Sequence, residues 1–330
     1  MSINPKLSVI LPAYNAEKHI AEAVESILNQ TFSDFEFIII EDHSTDNTLA
    51  VLKNYAARDE RIILTEKPEN KDFKGYVENL NLGLAMAKGK YVARMDADDI
   101  ALPTRLEKQM NILENNSDIF MVGCSLKLID EVGNTIGVLD AKQNHNEIVR
   151  KFNMENAMFH PALMFRNNSK VKYRDKMHAT EDFDFYLQHL ADGARFYNIP
   201  EYLMDYRILK KSLSRTSSRL IKMLFLEKAK HFYKEKVSTG SDTYADMNDE
   251  DLKKILKNDK ILPKEILLFG LDTALMYNMQ NEAQIIYSKL KEFYDYRSYK
   301  SLLLSNPMIN MYSYLRLKKV AQFGIITNAQ

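Results

Sequence analysis

Only one cysteine, Cys124, occurs in the 330 residues, which excludes an intrachain disulfide and fits a reducing compartment. It lies in the apolar run FMVGCSL, where a small buried thiol is the expected role rather than a nucleophile. Net charge is lacking as well. Lys+Arg and Asp+Glu both number 45, so nothing draws the whole chain toward nucleic acid. No stretch approaches the roughly 20 apolar residues of a membrane helix, and the first apolar run is broken by Pro12 and Asn15, unlike a signal peptide. A cytoplasmic protein is the expectation. Glycine is sparse at 10 residues, and neither G-x-G-x-x-G nor G-x-x-x-x-G-K-[ST] occurs. Those two absences exclude the standard dinucleotide-binding and P-loop architectures, so a nucleotide would be held by other means. What remains is ordinary for a globular protein, 45% hydrophobic and 27% charged, and long enough for one large domain or two smaller ones.

The first hundred residues alternate short apolar runs with helical patterns. Leu7–Leu11 reads as a buried strand ending at Pro12, and Asn15 as the cap of a helix carrying Ile20, Ala23, Val24, Ile27 and Leu28. Phe35–Ile40 is a second strand, closed by the acidic loop Glu41-Asp42-His43-Ser44-Thr45-Asp46, with a helix through Leu49, Leu52 and Tyr55 behind it. Arg61–Thr65, a helix from Gly75 to Ala87, and the strand KYVARM follow. This alternation predicts an α/β fold with a mostly parallel sheet and helices on both faces. Ligands in such sheets bind at the carboxyl ends of the strands. Three strand ends carry polar groups there: Tyr14 and Asn15, then Glu41 and Asp42, then Asp96 and Asp98.

The stretch KYVARMDADD is the most unusual. Asp96, Asp98 and Asp99 crowd like charges together, a pattern that suits a hard divalent cation with oxygen ligands. A solvated turn with helix-capping aspartates explains the same residues, because Pro103 soon after suits a helix start. Beyond it come a helix through Leu106, Met110 and Leu113, a hairpin of Ile119–Ile129 and Thr135–Leu139, and a strand at Phe159–Phe165. A helix over Thr180–Ala191 has Glu181, Asp182 and Asp184 in its first turn, where acids also suit the helix dipole. Ala194–Ile199 and Tyr202–Ile208 read as short edge strands. From residue 214 helical periods dominate, giving an expected division into a domain of 1–213 and a helical region of 214–330. Between Arg207 and Lys236 ten basic residues face only Glu227 and Glu235, with Leu220, Leu224, Phe225 and Phe232 interleaved. Two readings fit: a helix resting on anionic lipid, or one packed on the catalytic domain with a solvated basic face.

Five segments, LSVILPAYNAEKHIAEAVESILNQTF, EFIIIEDHSTDNT, LNLGLAMAKGKYVARMDADDIALPTRLEKQ, HPALMF and ATEDFDFYLQHL, together resemble family 2 glycosyltransferases, in the family's order. The resemblance, which leaves the C-terminal helical subdomain outside it, implies the GT-A nucleotide-sugar fold, a UDP-sugar donor, a saccharide or lipid-linked saccharide acceptor, and Mn²⁺ or Mg²⁺ as cofactor. It implies no nucleic-acid partner, and a place in surface polysaccharide synthesis. Residue by residue, it places Pro12, Tyr14 and Asp42 at the nucleotide, with Tyr14 against the uracil face and Asp42 on its N–H. Asp96 falls near the ribose and metal, and Asp98 becomes the metal ligand. Asp99 has a supporting or capping place, and Asp46 caps the next helix. Asp182 corresponds to the base that deprotonates the acceptor hydroxyl in an inverting displacement, with Glu181 its neighbour. His160 aligns near the acceptor, and a satisfied structural histidine fits as well.

One departure stands out. Relatives carry a metal- or diphosphate-binding histidine after the strand YRI, whereas this chain reads Arg207-Ile208-Leu209-Lys210. Arg207 or Lys210 then becomes the candidate for the diphosphate. Two other readings share the strand-end acids: a sugar nucleotidyltransferase, which would need a Gly-rich basic loop where Pro12-Ala13-Tyr14-Asn15 stands, and a catalytically silent relative serving as an assembly module.

Overall fold

The computed structural model describes residues 5–168, 170–177, 179–209, 218–257 and 261–323, and they form two compact units. Among the described residues, the first comprises 5–151, 156–175 and 193–209, and the second 152–155, 176–192 and those from 218 to 323. Lys176–Asp192, which includes the acid-bearing helix, groups with the helical unit.

A mixed sheet of nine strands, among the described residues, builds the first unit: β1 (Leu7–Ala13), β2 (Phe35–Glu41), β3 (Ile62–Glu66), β4 (Tyr91–Arg94), β5 (Ile100–Ala101), β6 (Ile119–Ile129), β7 (Thr135–Leu139), β8 (Met164–Arg166) and β9 (Arg195–Arg207). Their order is β3-β2-β1-β4-β8-β6-β9-β5, with β7 on β6. The first four strands are parallel, and β8 enters antiparallel to both β4 and β6. All seven residues of β1 and of β2 are buried, as near-continuous apolar runs covered on both faces should be. Ile20, Ala23, Val24 and Ile27 of α1 (Ile20–Leu28) supply part of that cover. Gly89 precedes β4 where a Cβ would come within 2.5 Å of the Ser8 nitrogen, so only glycine fits. The buried Glu36 carboxylate accepts the Ser8 hydroxyl at 2.6 Å and the Lys88 N–H at 2.7 Å, tying β2, β1 and the approach to β4 together.

Several boundaries differ from expectation for identifiable reasons. β1 runs through Pro12 to Ala13 rather than stopping at the proline. Ile10 O accepts from Met95 and Ala13 O from Asp42, so Pro12 shares the β4-facing parity of Ile10, on a side where the β4 ladder has already ended at Ile10↔Arg94. Its missing N–H costs no ladder bond. Asn15 does not cap α1; it has φ 47°, and its side chain accepts the Thr45 N–H at 2.8 Å, joining the loops after β1 and β2. Asp46 accepts the Thr48 N–H at 3.0 Å at the start of α2 (Thr48–Ala56), as a capping residue would. The expected strand over Phe159–Phe165 is a turn of 3₁₀ helix, His160–Ala162, followed by β8. The two expected edge strands are one, β9, paired with β6 on one side and β5 on the other, with a register irregularity around Pro200. Helices α3 (Asp72–Met86), α4 (Arg105–Asn115) and α5 (His145–Phe152) complete the order up to that point.

In the second unit α6 (Glu181–Ala191) packs on α7 (Arg219–Thr239), followed by α8 (Asp249–Lys253), α9 (Lys264–Met276), α10 (Gln280–Tyr294) and α11 (Asn306–Phe323). Leu220 and Leu224 join Leu271, Leu275, Ile286 and Leu290 in its core, and Phe225 and Phe232 are buried too. The apolar stripe of α7 is thus consumed within the protein. Lys230 is buried as well, its ammonium on Asn153 O at 3.0 Å and Glu227 at 2.9 Å. The cover over Leu220 and Leu224 comes from the helical unit. No helix among the described residues is long and apolar enough to cross a membrane.

Candidate active site

The parallel arrangement brings the carboxyl ends of β1, β2 and β4 to one edge. Tyr14 leaves β1 exposed there, beyond Pro12. Asp42, one residue past β2, is buried, and its carboxylate meets the Lys67 ammonium at 2.8 Å and the Asn70 amide at 2.9 Å. Two positive or donating partners on one side of a carboxylate fix its rotamer and leave lone pairs for a further donor. Sequence reasoning missed Lys67 and Asn70, whose only signal was a lysine and an asparagine in the polar loop after β3.

Past β4, one oxygen each of Asp96, Asp98 and Asp99 lie within 4.8 Å of one another. Asp96 pairs with Arg94, itself buried beneath it and 5.5 Å over the Tyr76 ring. Burial, reinforced by Asp96, raises Asp98 to about 7. Asp99 is fully buried; burial and the Asp98 charge push it well above the usual carboxylate range, opposed by the Arg207 backbone N–H that it accepts at 2.9 Å. Its other oxygen, Oδ2, has no hydrogen-bond partner among the described residues. Three converging carboxylates, one with an orphaned buried oxygen, form a donor set that fits a hard divalent cation. A plain capping role leaves the crowding and the orphaned oxygen unexplained. Tyr206 of β9 is pushed far up by burial and by the same three carboxylates.

The loop carrying the acids is held from below and from the side. Arg105, fully buried at the start of α4, donates to the Arg94 carbonyl and to Gln109. β5 zips Ile100 and Ala101 onto Asp205 and Met204. Arg207 does the most. Its Nε donates to the Asp98 carbonyl at 2.8 Å, its Nη1 to the Asp130 and Glu131 carbonyls at 3.2 Å, and its Nη2 meets Glu22 of α1 at 2.6 Å. Buried and engaged on all three nitrogens, it is a strut of the acidic loop. Leu209 is half-buried, and Lys210 lies outside the described residues.

His160 is buried with Nε2 2.7 Å from the Tyr173 hydroxyl; burial, and then the Arg94 charge, hold its pKa well below the usual value. That is a neutral, satisfied histidine. Glu181 and Asp182 belong to the second unit, in the first turn of α6. Ala179 just before it has φ 57°, and Asp182 Oδ1 accepts the Phe183 N–H at 2.6 Å. Glu181 is buried and Asp182 half-buried, while Asp184 turns inward to the Gln188 amide at 2.8 Å. Thr180, the residue before the helix, makes no side-chain cap bond, and Asp182 satisfies one first-turn N–H from within the helix.

A parallel sheet whose acid-tipped edge follows the fourth strand is the plan of a GT-A domain, and comparison with known proteins agrees. Among solved structures, Staphylococcus aureus TarS 1–349 in complex with UDP-GlcNAc superposes with a TM-score of 0.61 at 16% identity, covering 96% of this chain and 92% of that one. That likeness is one of fold. In sequence, the chain is 38% identical over 209 residues to an uncharacterised glycosyltransferase of Methanocaldococcus jannaschii, spanning 62% of this chain and 71% of the relative. It is 37% identical over 218 residues to the O-antigen biosynthesis glycosyltransferase WbnJ of Escherichia coli, spanning 64% and 83%. The Glycosyl transferase family 2 model matches residues 8–174, and the chain belongs to that family.

Proposed function

We propose that the protein moves a hexose from a UDP-sugar to a hydroxyl of a saccharide or lipid-linked saccharide, with inversion, at the cytoplasmic face of surface polysaccharide assembly. The observation that carries this reading is the Asp96, Asp98 and Asp99 cluster at the sheet edge shared with Tyr14 and Asp42. The name of the O-antigen relative and the donor bound to the TarS neighbour support the pathway and the nucleotide.

In this reading Tyr14 offers its exposed ring to the uracil face. Asp42, oriented by Lys67 and Asn70, accepts the uracil N–H; a cytosine or adenine ring, whose corresponding ring nitrogen is an acceptor, would not satisfy it in the same way. Asp98, with Asp96 and Asp99 beside it, holds Mn²⁺ or Mg²⁺, which supplies charge neutralisation for the diphosphate leaving group. Arg207 keeps the Asp98 carbonyl in place. A carboxylate oxygen of Asp182 takes the proton of the acceptor hydroxyl while the hydroxyl oxygen attacks the anomeric carbon and the bond to UDP breaks, so no covalent sugar–enzyme bond forms. Glu181, more buried, is its neighbour in the turn.

The test is slow hydrolysis of a panel of UDP-sugars and GDP-mannose with Mn²⁺, together with thermal stabilisation by UDP and Mn²⁺. A UDP-sugar is turned over, and Asp98→Ala abolishes both readouts. Absence of UDP stabilisation, or turnover that survives Asp98→Ala, overturns the reading.

A further inference from the structure

The C-terminal helix α11 is apolar on two sides, and only one of them is used. Ile309 is fully buried, and Ser313 is buried with its hydroxyl donating to the Met276 carbonyl at 2.7 Å, one helical turn further on. Two inward anchors at this spacing fix the rotation of the helix about its axis. They leave Met308, Met311 and Leu315 on the outward arc with 37, 52 and 55% of their surface exposed, and Tyr314 beside them with 64%. Lys318 and Lys319 share that arc in the following turn, with the Lys318 ammonium 5.9 Å from the Tyr314 ring centre. No acidic residue occurs in α11. None occurs anywhere from 296 to 330 either, a stretch holding five Lys and Arg. Arg316, Lys318 and Lys319 have no ion-pair partner among the described residues.

We infer that this outward face of α11 is a docking surface for an anionic lipid bilayer. The choice of occupant rests on charge. Cores of protein–protein interfaces are depleted in lysine, because burying an ammonium against another protein needs a dedicated acid. An anionic bilayer asks for the opposite composition: methionine, leucine and tyrosine at headgroup depth, with lysines beside them at the phosphates. α11 has that composition and no acid to oppose it. The more strongly basic α7 lacks the other half of the requirement, since its apolar stripe is already in the core. This inference does not depend on the catalytic reading.

The experiment uses the full chain and vesicles of phosphatidylcholine, with and without a quarter of phosphatidylglycerol, followed by co-sedimentation at low and high salt. Binding is expected to the anionic vesicles only and to weaken with salt. Met311→Ser with Leu315→Ser, and separately Lys318→Glu with Lys319→Glu, each lower the partition coefficient by about tenfold or more. All four side chains point outward, so the melting temperature of these variants stays at the wild-type value. Arg219→Glu with Lys234→Glu on α7 changes partition by no more than about twofold. Failure to bind anionic vesicles overturns the inference, as do variants of α11 that bind like wild type. A concentration-dependent dimer seen by light scattering and abolished by Met311→Ser with Leu315→Ser also overturns it, by assigning the face to a second copy of the chain.

Discussion

Replacing Arg207 by alanine isolates what its side chain contributes, because the backbone N–H that serves Asp99 survives any substitution other than proline. The guanidinium bond to the Asp98 carbonyl, part-buried and 2.8 Å long, is the main loss. A charge-assisted bond of this kind is worth about 1.5–3 kcal/mol, and the orphaned carbonyl sits where water reaches it poorly. The Asp130 and Glu131 carbonyls lie on a hairpin turn that water can rehydrate, and the Glu22 side chain is more than half exposed, so these three contacts add about 1 kcal/mol together. A buried stem that leaves a gap adds about 1 kcal/mol more. The sum is a loss of about 4 kcal/mol in urea unfolding. The functional consequence is separate from the global one. With the Asp98 carbonyl untethered, Mn²⁺ affinity measured by electron paramagnetic resonance on the still-folded variant drops by about tenfold or more, the usual effect of removing a group that orients a ligand. Arg207→Lys keeps a charge without the fork, and falls between the two. If Arg207→Ala unfolds within about 1 kcal/mol of wild type and binds Mn²⁺ equally well, the strut reasoning is wrong.

Three further outcomes follow from the same geometry. Asp98 holds its proton up to about pH 7 in the metal-free fold, whereas an unfolded aspartate has released it by about pH 4. The folded state then binds more protons across that window, and metal-free stability falls as pH rises through it, by at most about 4 kcal/mol. Asp98→Asn flattens the slope, and Mn²⁺ reverses it by stabilising most at high pH; equal pH profiles for wild type and Asp98→Asn in thermal melts refute the assignment. Asp182→Asn leaves UDP stabilisation unchanged while lowering turnover with acceptor by about a thousandfold, and turnover within tenfold of wild type removes Asp182 as the base. Gly89→Ala forces a Cβ to 2.5 Å from the Ser8 nitrogen and 2.6 Å from the Leu7 carbonyl carbon, both backbone. It should cost at least about 3 kcal/mol by denaturation, and a loss under 1 kcal/mol would show that the β1–β4 approach yields.

The parallel half of the fold was legible because its strands are buried on both faces and therefore read as unbroken apolar runs, each followed by a helix period. β1, β2 and β4 needed nothing more. The antiparallel half was harder. β9 looked like two edge strands because Pro200 and Glu201 interrupt its apolar pattern, yet a register irregularity against β6 absorbs both and the strand continues. The 3₁₀ turn at His160–Ala162 was invisible for a related reason: HPALMF is as apolar as a strand, and only tertiary context decides between them. The membership of α6 in the helical unit could not be read at all. A helix pattern states which side is apolar, not which neighbour will cover it.

The acids of the candidate site were readable and their counter-charges were not, an asymmetry with a physical cause. Clustered carboxylates at a strand end violate the expectations of a turn and attract notice. Arg94, Lys67 and Arg207 sit in otherwise ordinary surroundings, and the partner of each is distant in sequence or hidden by alternation. Arg94 lies two residues before Asp96 in a buried strand, so the strand period puts both on one face; that alternation was the one signal able to reveal the pair. For Arg207 no such signal existed, since its partners come from residues 22, 98, 130 and 131. The described basic groups around the acids are already paired within the protein. Arg94 is engaged with Asp96, Lys67 with Asp42, and Arg207 with the loop. A departing diphosphate therefore has no described arginine or lysine of the first unit's acid-bearing strands left to neutralise it. In the proposed function that charge is met at Asp96, Asp98 and Asp99, the donor set that would hold a divalent cation.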